Sequence, residues 1–418
     1  MTRMLEAGRG IASGEVKAVA GAERVPVEFV RRGVAAGRIV VLRKGESVLG
    51  IGAGLRAKVN ANIGTSPDYD KPEEEMAKLR AAAGAGADTV MDLSVGRDPC
   101  AMLARVLKES PVPVGSVPVY SAFIGAMREK RRLSDVSGDE MIGSVARHLE
   151  MGASFVTVHA AITRRGVELA RRRVLKVVSR GGCFLSSWMI QNGLENPLYE
   201  NFGYILELAK EHDAAISIGD ALRPGAISDS GDAAMLHELK LQGRLTRMGF
   251  SEGVGIICEG PGHMPIGRIA ENVRLQKRVC SGAPYYVLGP LVTDVAAGYD
   301  HVAGAIGGAV AAAAGADFLC VVTPSEHLAL PTAEDVVEGV VASRIAAHAA
   351  DIARRGRSGP DLEMSRARWR LDWEKQLELS LNRERAAGFR ERRATRSGAC
   401  SMCGEFCAYG IARRAMGR

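Results

Sequence analysis

From residue 86 onward, short apolar runs alternate with longer stretches in which apolar residues recur every three or four positions. The runs are DTVMDLSV (88–95), VPVGSVPVY (112–120), SFVTVHAA (154–161), LKVVSRGG (175–182), AAISIGDA (214–221), VGIICEGP (254–261), YYVLGPLVTD (285–294) and DFLCVVTP (317–324). Short continuous apolar segments of this kind read as strands buried on both faces. The stretches between them, such as EMIGSVARHLEMG, LYENFGYILELAKEHD, MLHELKLQGRLTRMG and IAENVRLQKRVC, read as amphipathic helices. Eight such alternations over about 240 residues predict an α/β fold, a closed parallel (β/α)8 barrel in preference to an open sheet. On this reading residues 1–85 are a small α/β lead-in, 86–330 the catalytic barrel, 331–395 a charged helical segment and 396–418 a cysteine-bearing tail. Within the lead-in, AKVNANIGTSPDYDKPEEE reads as a loop before a helix opened by Pro72 and Glu73 to Glu75. Its Asn60 and Asn62 are turn residues or amide donors to a ligand.

A parallel barrel carries its chemistry on the loops that follow the strands. The expected strand ends hold Met91 with Asp92, Tyr120, His159, Ser179 with Arg180, Asp220 with Arg223, Glu259 with His263, Asp294, and Glu326 with His327. One polar residue at a strand end is often only a helix cap. Polar residues at all eight ends point to a site.

Composition narrows the classes. The chain has 418 residues, 47% hydrophobic, with a formal charge of +7 and 5% aromatics. The arginines are dispersed, so nucleic-acid binding has no support, whereas a basic surface suits a phosphorylated small molecule. MTRMLEAGRGIASGEVK lacks the apolar core of a signal peptide, and the Ala- and Gly-built run 303–316 is too short to span a bilayer. A cytoplasmic protein without membrane contact is expected. No GxxxxGK[ST] loop or strand-linked GxGxxG is present, which removes nucleotide hydrolysis and dinucleotide binding.

Of eight cysteines, Cys100, Cys183, Cys258, Cys280 and Cys320 lie scattered in apolar segments, while Cys400, Cys403 and Cys407 form CxxCxxxC. Three thiolates leave a four-coordinate zinc one ligand short, and no histidine follows His348. A 4Fe-4S cluster instead takes three thiolates and keeps one iron open, as S-adenosylmethionine (SAM) radical enzymes require. Cluster, zinc and a redox-active thiol group remain open on spacing alone. His263 and His327 together suit a divalent metal with free coordination positions; separately, each would only bond a backbone carbonyl. SRGG (179–182) and GDALRPG (219–225) place a hydroxyl, backbone N–H groups and a guanidinium where a phosphate could sit.

The motifs KVNANIGTS, MDLS, VSRGG, GDALRPG, EGPGHMP, LGPLVTDVAAGYDH, DFLCVVTPSEHLALP, RIAAHAADIA and CSMCG with its following cysteine run in one order along essentially the whole chain. In them the sequence resembles the radical-SAM thiamin pyrimidine synthases, or phosphomethylpyrimidine synthases, in their short form. The resemblance implies a homodimeric (β/α)8 barrel that rearranges 5-aminoimidazole ribotide to 4-amino-5-hydroxymethyl-2-methylpyrimidine phosphate through a 5'-deoxyadenosyl radical. It implies substrate contacts at Asn62, Met91, Tyr120, His159, Ser179, Arg180, Gly181, Asp220, Ala221, Leu222, Arg223, Glu259 and Tyr286, with Glu259 also catalytic. It implies zinc or iron (Zn2+ or Fe2+) on His263 and His327, and a 4Fe-4S cluster on catalytic Cys400, Cys403 and Cys407, carried by a mobile tail that folds over a barrel of the dimer. A low-potential donor such as flavodoxin or ferredoxin would supply electrons. The sequence departs from the family pattern at Val95, Ala221, Ala297, Val321 and Ala329, and its cysteine motif is one residue shorter than in longer members. None of these removes a proposed ligand. The sister 5-hydroxybenzimidazole synthases, acting on the same ribotide, are the alternative assignment; a zinc-dependent barrel hydrolase and a non-catalytic binding barrel are weaker ones.

Overall fold

The computed structural model describes residues 1–356, 359–393, 395 and 397–416. Two compact units divide the chain, Met1–Ala350 and Asp351–Arg418. In the first, β1 (Ile39–Lys44) and β2 (Ser47–Gly52) form an antiparallel hairpin. Eight further strands close a barrel: β3 (Lys58–Ile63), β4 (Thr89–Asp92), β5 (Val114–Ser116), β6 (Phe155–Val158), β7 (Ala215–Ile218), β8 (Ile256–Gly260), β9 (Tyr285–Leu288) and β10 (Phe318–Cys320). Neighbours run parallel all the way round, β10 pairing with both β9 and β3. The expected (β/α)8 architecture is the observed one.

Two strand assignments are corrected. LKVVSRGG is not a strand: Val174 and Leu175 give their N–H groups to the Asp229 carboxylate at 3.0 Å each, and Ser179 caps the helix Arg180–Asn192. A side chain thus takes the donors that a ladder would have used. The first barrel strand is Lys58–Ile63, inside the segment expected to be a lead-in loop, so the barrel begins before residue 86. Its polar residues misled because they are packed inward. Asn60 is wholly buried, donating to Tyr286 Oη at 2.7 Å and accepting from Thr89 Oγ1 at 2.7 Å. Buried amides need such partners, and here the barrel interior supplies them.

Three aromatic rings fill much of the interior beside them. Phe155 and Phe318 meet edge to face at 6.2 Å, and Tyr286 stacks on Phe318 at 4.3 Å. Gly115 on β5 makes room for them, since a Cβ there would lie 2.2 Å from the Phe155 ring. Each such ring contributes about 1.5–3 kcal/mol by burial.

The helices Arg3–Gly8, Gly14–Glu23 and Val27–Ala35 and the β1–β2 hairpin share a small core that includes Val16, Val30, Ile39 and Leu55. They cover the end of the barrel where strands begin. Thr2 donates to Gly253 O at 2.6 Å, Arg3 pairs with Asp213 at 2.7 Å, and Lys58 with Glu23 at 3.0 Å. The opposite end, where strands finish, is left for the site. Among the described residues no helix is long and apolar enough to cross a membrane.

The second unit holds the helices Gly359–Arg370, Trp373–Glu378, Arg383–Glu391 and Ala408–Met416. Trp373 donates to Gly398 O at 2.7 Å and lies under the Arg390 guanidinium at 4.1 Å, fixing the chain just before Cys400. The ring of Trp369 meets Tyr409 at 6.5 Å just after Cys407.

Candidate active site

A cavity of about 510 Å³ opens at the carboxyl ends of the strands. Nine expected contacts line it: Asn62, Met91, Tyr120, His159, Ser179, Asp220, Arg223, Glu259 and Tyr286. They come from β3, β4, β8, β9 and the turns after β6 and β7, with Tyr120 in the first turn of the helix Pro118–Arg128 and Ser179 capping the helix Arg180–Asn192. Arg180 stands at the edge, its guanidinium 5.3 Å over the Tyr120 ring. Ala221 and Leu222 are fully buried and outside the cavity lining. Gly181 is outside the lining too, but it decides where His159 goes. A Cβ at Gly181 would lie 2.7 Å from His159 Cε1, and one at Gly219 would lie 2.8 Å from Cδ2. The imidazole is therefore gripped between two backbones that approach it closely only because both are glycine.

Ser179 Oγ accepts from Gly182 N at 3.2 Å and lies 3.1 Å from His159 Nε2. A hydroxyl both donates and accepts, so Ser179 Oγ satisfies Nε2 in either tautomer of the ring. The other ring nitrogen, Nδ1, is buried and has no partner. Burial, helped by the Arg223 charge, pushes the His159 pKa down to about 3, so the ring is neutral. Glu259 accepts from Thr157 Oγ1 and Ser217 Oγ, both at 2.8 Å, while burial raises its pKa. Arg223 pairs with Asp220 at 3.0 Å. Burial opposes the Arg223 charge, but Asp220, Tyr120 and Glu259 hold its pKa above the usual value. Burial carries Asp220 up to about 8 against the pull of Arg223, and its Oδ2 has no partner. The site thus presents one fixed cation, a neutral imidazole and two carboxyls that hold protons readily.

Sequence reasoning missed Thr157, Leu93, Val117 and Cys320, all in the lining. Thr157 and Cys320 sit inside strands, where a small polar residue gives no signal in the pattern. Cys320 Sγ receives Asn62 Nδ2 at 3.1 Å, and burial lifts its thiol pKa to about 12. A second cavity of about 800 Å³ shares Asn62 and Leu93 with the first. Two of the departures from the family pattern, Val95 and Val321, line it, together with Arg180 and Glu326.

His263 and His327 come together as expected, with ring centroids 5.3 Å apart. His263 Nδ1 donates to Asp294 Oδ1 at 2.8 Å, and His327 Nδ1 donates to Asp300 Oδ2 at 3.0 Å. A carboxylate behind each Nδ1 leaves both Nε2 atoms as acceptors, the tautomer a metal ligand needs. His327 has φ 63°, a left-handed conformation that costs a non-glycine residue of order 1–3 kcal/mol. Among the described residues no three His, Cys, Asp or Glu side chains gather as a closed metal cage. Two imidazoles whose Nε2 atoms are both acceptors could hold a divalent ion with its other positions open. Cys400, Cys403 and Cys407 are unbonded thiols in the second unit, joined by one turn in which Gly404 N donates to Cys400 O at 3.0 Å. The CxxCxxxC spacing supplies three thiolates for an iron–sulfur cluster with an open iron, although among the described residues the three sulfurs are not gathered.

The comparisons with known proteins match the chain along almost its whole length. A profile of the radical SAM ThiC family matches residues 2–414. The phosphomethylpyrimidine synthase of Methanopyrus kandleri is 51% identical over 426 residues, covering 100% of this chain and 99% of that protein. The phosphomethylpyrimidine synthase of Dehalococcoides mccartyi is 48% identical over 425 residues, with 100% and 99% covered.

Proposed function

The chain belongs to the radical SAM ThiC family, and from that premise we propose that it is a phosphomethylpyrimidine synthase. It converts 5-aminoimidazole ribotide to 4-amino-5-hydroxymethyl-2-methylpyrimidine phosphate in thiamin biosynthesis. The observation that carries this reading is the convergence of nine expected ligands on one cavity at the carboxyl end of the barrel. The relatives' shared name favours it over the benzimidazole and hydrolase alternatives.

Arg223 and the N–H groups that open the helix Arg180–Asn192 take the ribotide phosphate, a bidentate guanidinium and a helix N-terminus both favouring that anion. The neutral His159, Glu259 and Asp220 hold the sugar and the imidazole by hydrogen bonds. Met91, Leu93 and Val117 form the apolar wall that keeps water from a reactive intermediate. His263 and His327 hold zinc or iron, and Cys400, Cys403 and Cys407 hold a 4Fe-4S cluster. When bound, the cluster and S-adenosylmethionine supply a 5'-deoxyadenosyl radical that removes hydrogen from the substrate. The protein acts as a homodimer in the cytoplasm and receives electrons from a low-potential carrier such as flavodoxin or ferredoxin.

The test is an anaerobic reaction of the iron-reconstituted protein with 5-aminoimidazole ribotide, S-adenosylmethionine and dithionite, followed by mass analysis. A phosphorylated pyrimidine is the expected product. Hydroxybenzimidazole, or no product from a protein whose cluster is intact, would overturn the assignment.

A further inference from the structure

Tyr120 reaches the cavity from the first turn of the helix Pro118–Arg128, and that turn has no side-chain cap. Val117 at the cap position offers no side-chain acceptor, and Pro118 has no N–H to give. Two contacts hold the ring from the side: the Arg180 guanidinium lies 5.3 Å over its face, and Phe184 meets it edge to face at 6.2 Å. How far the phenol enters the cavity follows the backbone of the first turn.

A histidine from the next helix fastens that backbone. His148, on Gly138–Glu150 and 3% exposed, stands 2.9 Å from Ser116 Oγ through Nδ1 and 2.9 Å from Ser121 Oγ through Nε2. Ser116 is the last residue of β5, and Ser121 directly follows Tyr120. One imidazole thus clamps the end of a strand to the start of the helix that follows it. Burial, helped by the Arg147 charge, takes the His148 pKa down to about 4, so the ring is neutral, with one N–H and one bare nitrogen. Each serine hydroxyl both donates and accepts, so either tautomer completes both bonds. His148 itself is outside the cavity lining.

We propose that His148 is a positioning residue: the Ser116–His148–Ser121 bridge sets the place of the Tyr120 phenol against the substrate. The inference rests on the reading above, that the cavity holds the ribotide. A leucine would fill the same space at a smaller cost in desolvation and would hold neither serine. What the imidazole adds is a fixed span between two hydroxyls. Tyr120 is one residue from the clamped Ser121, so slack in the first turn passes directly to the phenol.

The test uses the full-length, iron-reconstituted protein, titrated calorimetrically with 5-aminoimidazole ribotide alone. His148→Asn can place a polar atom where Nδ1 stands and so keeps Ser116, whereas His148→Gln can place one where Nε2 stands and so keeps Ser121. Ser121→Ala cuts the bridge from its other end, at a half-buried position that the fold tolerates. The ribotide dissociation constant should rise about 3–10-fold in His148→Leu, His148→Asn and Ser121→Ala, and stay within about twofold of wild type in His148→Gln. In a Tyr120→Phe background the same changes should cost about twofold or less, because the group they place is gone. Equal losses with and without the phenol would overturn the proposal, as would wild-type affinity in Ser121→Ala or a His148→Gln no better than His148→Asn. A second measurement needs no ligand: the fluorine NMR line of a fluorotyrosine at position 120 should shift or broaden in His148→Leu and Ser121→Ala and hold its place in His148→Gln. An unmoved line in every variant would also overturn the proposal. If wild type does not bind the ribotide, the proposed reaction has failed, and the fluorine series still decides whether the bridge places Tyr120.

Discussion

Asp294 joins the two halves of the site. Its Oδ1 accepts from the His263 imidazole at 2.8 Å, and its Oδ2 accepts from Ile227 N at 2.9 Å, two residues beyond the GDALRPG loop that carries Asp220 and Arg223. Replacing it with alanine frees the His263 ring to rotate and lets the ring proton move from Nδ1 to Nε2, the nitrogen that must stay bare to bind a metal. Loss of such a carboxylate behind a metal-bound histidine costs about 10–100-fold in metal affinity, or about 1.4–2.8 kcal/mol at 1.4 kcal/mol per decade. The loop loses one neutral hydrogen bond, worth about 0.5–1.5 kcal/mol, so ribotide binding should weaken by a smaller factor. Asp294→Asn separates the effects: its amide oxygen can satisfy His263 or Ile227 N–H, while its NH2 can satisfy neither. The assay is competition for Zn2+ with a chromophoric chelator, supported by the visible spectrum of bound Co2+. It is run with Cys400, Cys403 and Cys407 changed to serine, so that only the two-histidine site reports. Asp300→Ala, which releases His327 from its 3.0 Å bond, should behave alike toward metal but leave the ribotide affinity in place. Unchanged metal affinity in both alanine variants would refute the reasoning that these carboxylates set the ligand tautomer.

Gly181→Ala puts a Cβ 2.7 Å from His159 Cε1, with Gly219 closing the other side, and the strain of about 1–3 kcal/mol should weaken ribotide binding by about 5–150-fold; a calorimetric titration that returns the wild-type affinity would show the ring to be free to move. Asp220, neutral below its pKa of about 8, leaves Arg223 available to phosphate, whereas ionisation at higher pH pairs the two. The ribotide dissociation constant should therefore rise between about pH 7 and 9, and Asp220→Asn should flatten that rise. The same shift has a stability sign: a carboxyl whose pKa is raised on folding favours the folded state at low pH, and that contribution is lost as pH climbs through about 8. Lys78 and Glu75 form a pair 3% and 1% exposed, with Glu75 also accepting from Gly64 N at 2.7 Å. Lys78→Met should lower unfolding free energy by about 3–5 kcal/mol in urea titrations, with much of the loss restored by adding Glu75→Gln, whose neutral amide oxygen still serves Gly64.

The barrel was legible because seven of its eight strands are continuous apolar runs, the pattern that a sheet covered on both faces imposes. The remaining strand hid its identity in Asn60 and Asn62, which a local pattern reads as turn residues and only a closed interior can satisfy. The reverse error, at 175–182, arose because Asp229 lies far along the chain, so that its capture of two backbone donors has no local trace. The site was legible residue by residue through strand ends and motifs, but its support was not. Asp294 stood out only as another polar strand end, and Asp300 had no assigned role until each was found behind a histidine.

That support explains how loops hold a radical site still. Most side chains that face the cavity lie on strands of three to six residues and the turns after them, positions that carry little rigidity of their own. Behind them the helix Ala233–Glu252 aims two buried polar residues, four apart, at the backbone that needs holding. Gln242 Nε2 donates to Glu259 O at 3.0 Å and Ile218 O at 3.3 Å, tying together the ends of β7 and β8, and Glu238 Oε2 accepts from Leu222 N at 2.8 Å. Arg173, locked by Asp232 at 2.6 Å, reaches Arg223 O at 3.4 Å from the other side. Buried amides and carboxyls add less to stability than apolar residues of equal volume, and Glu238 even leaves one oxygen without a partner. Their value lies in direction, since a hydrogen bond fixes a carbonyl where a methyl group would only fill space. A reaction in which the wrong C–H group is always within reach depends on that direction, because a displacement of about 1 Å at the reacting centre can cost about a hundredfold in rate. The polar residues behind the site therefore trade fold stability for the choice of product.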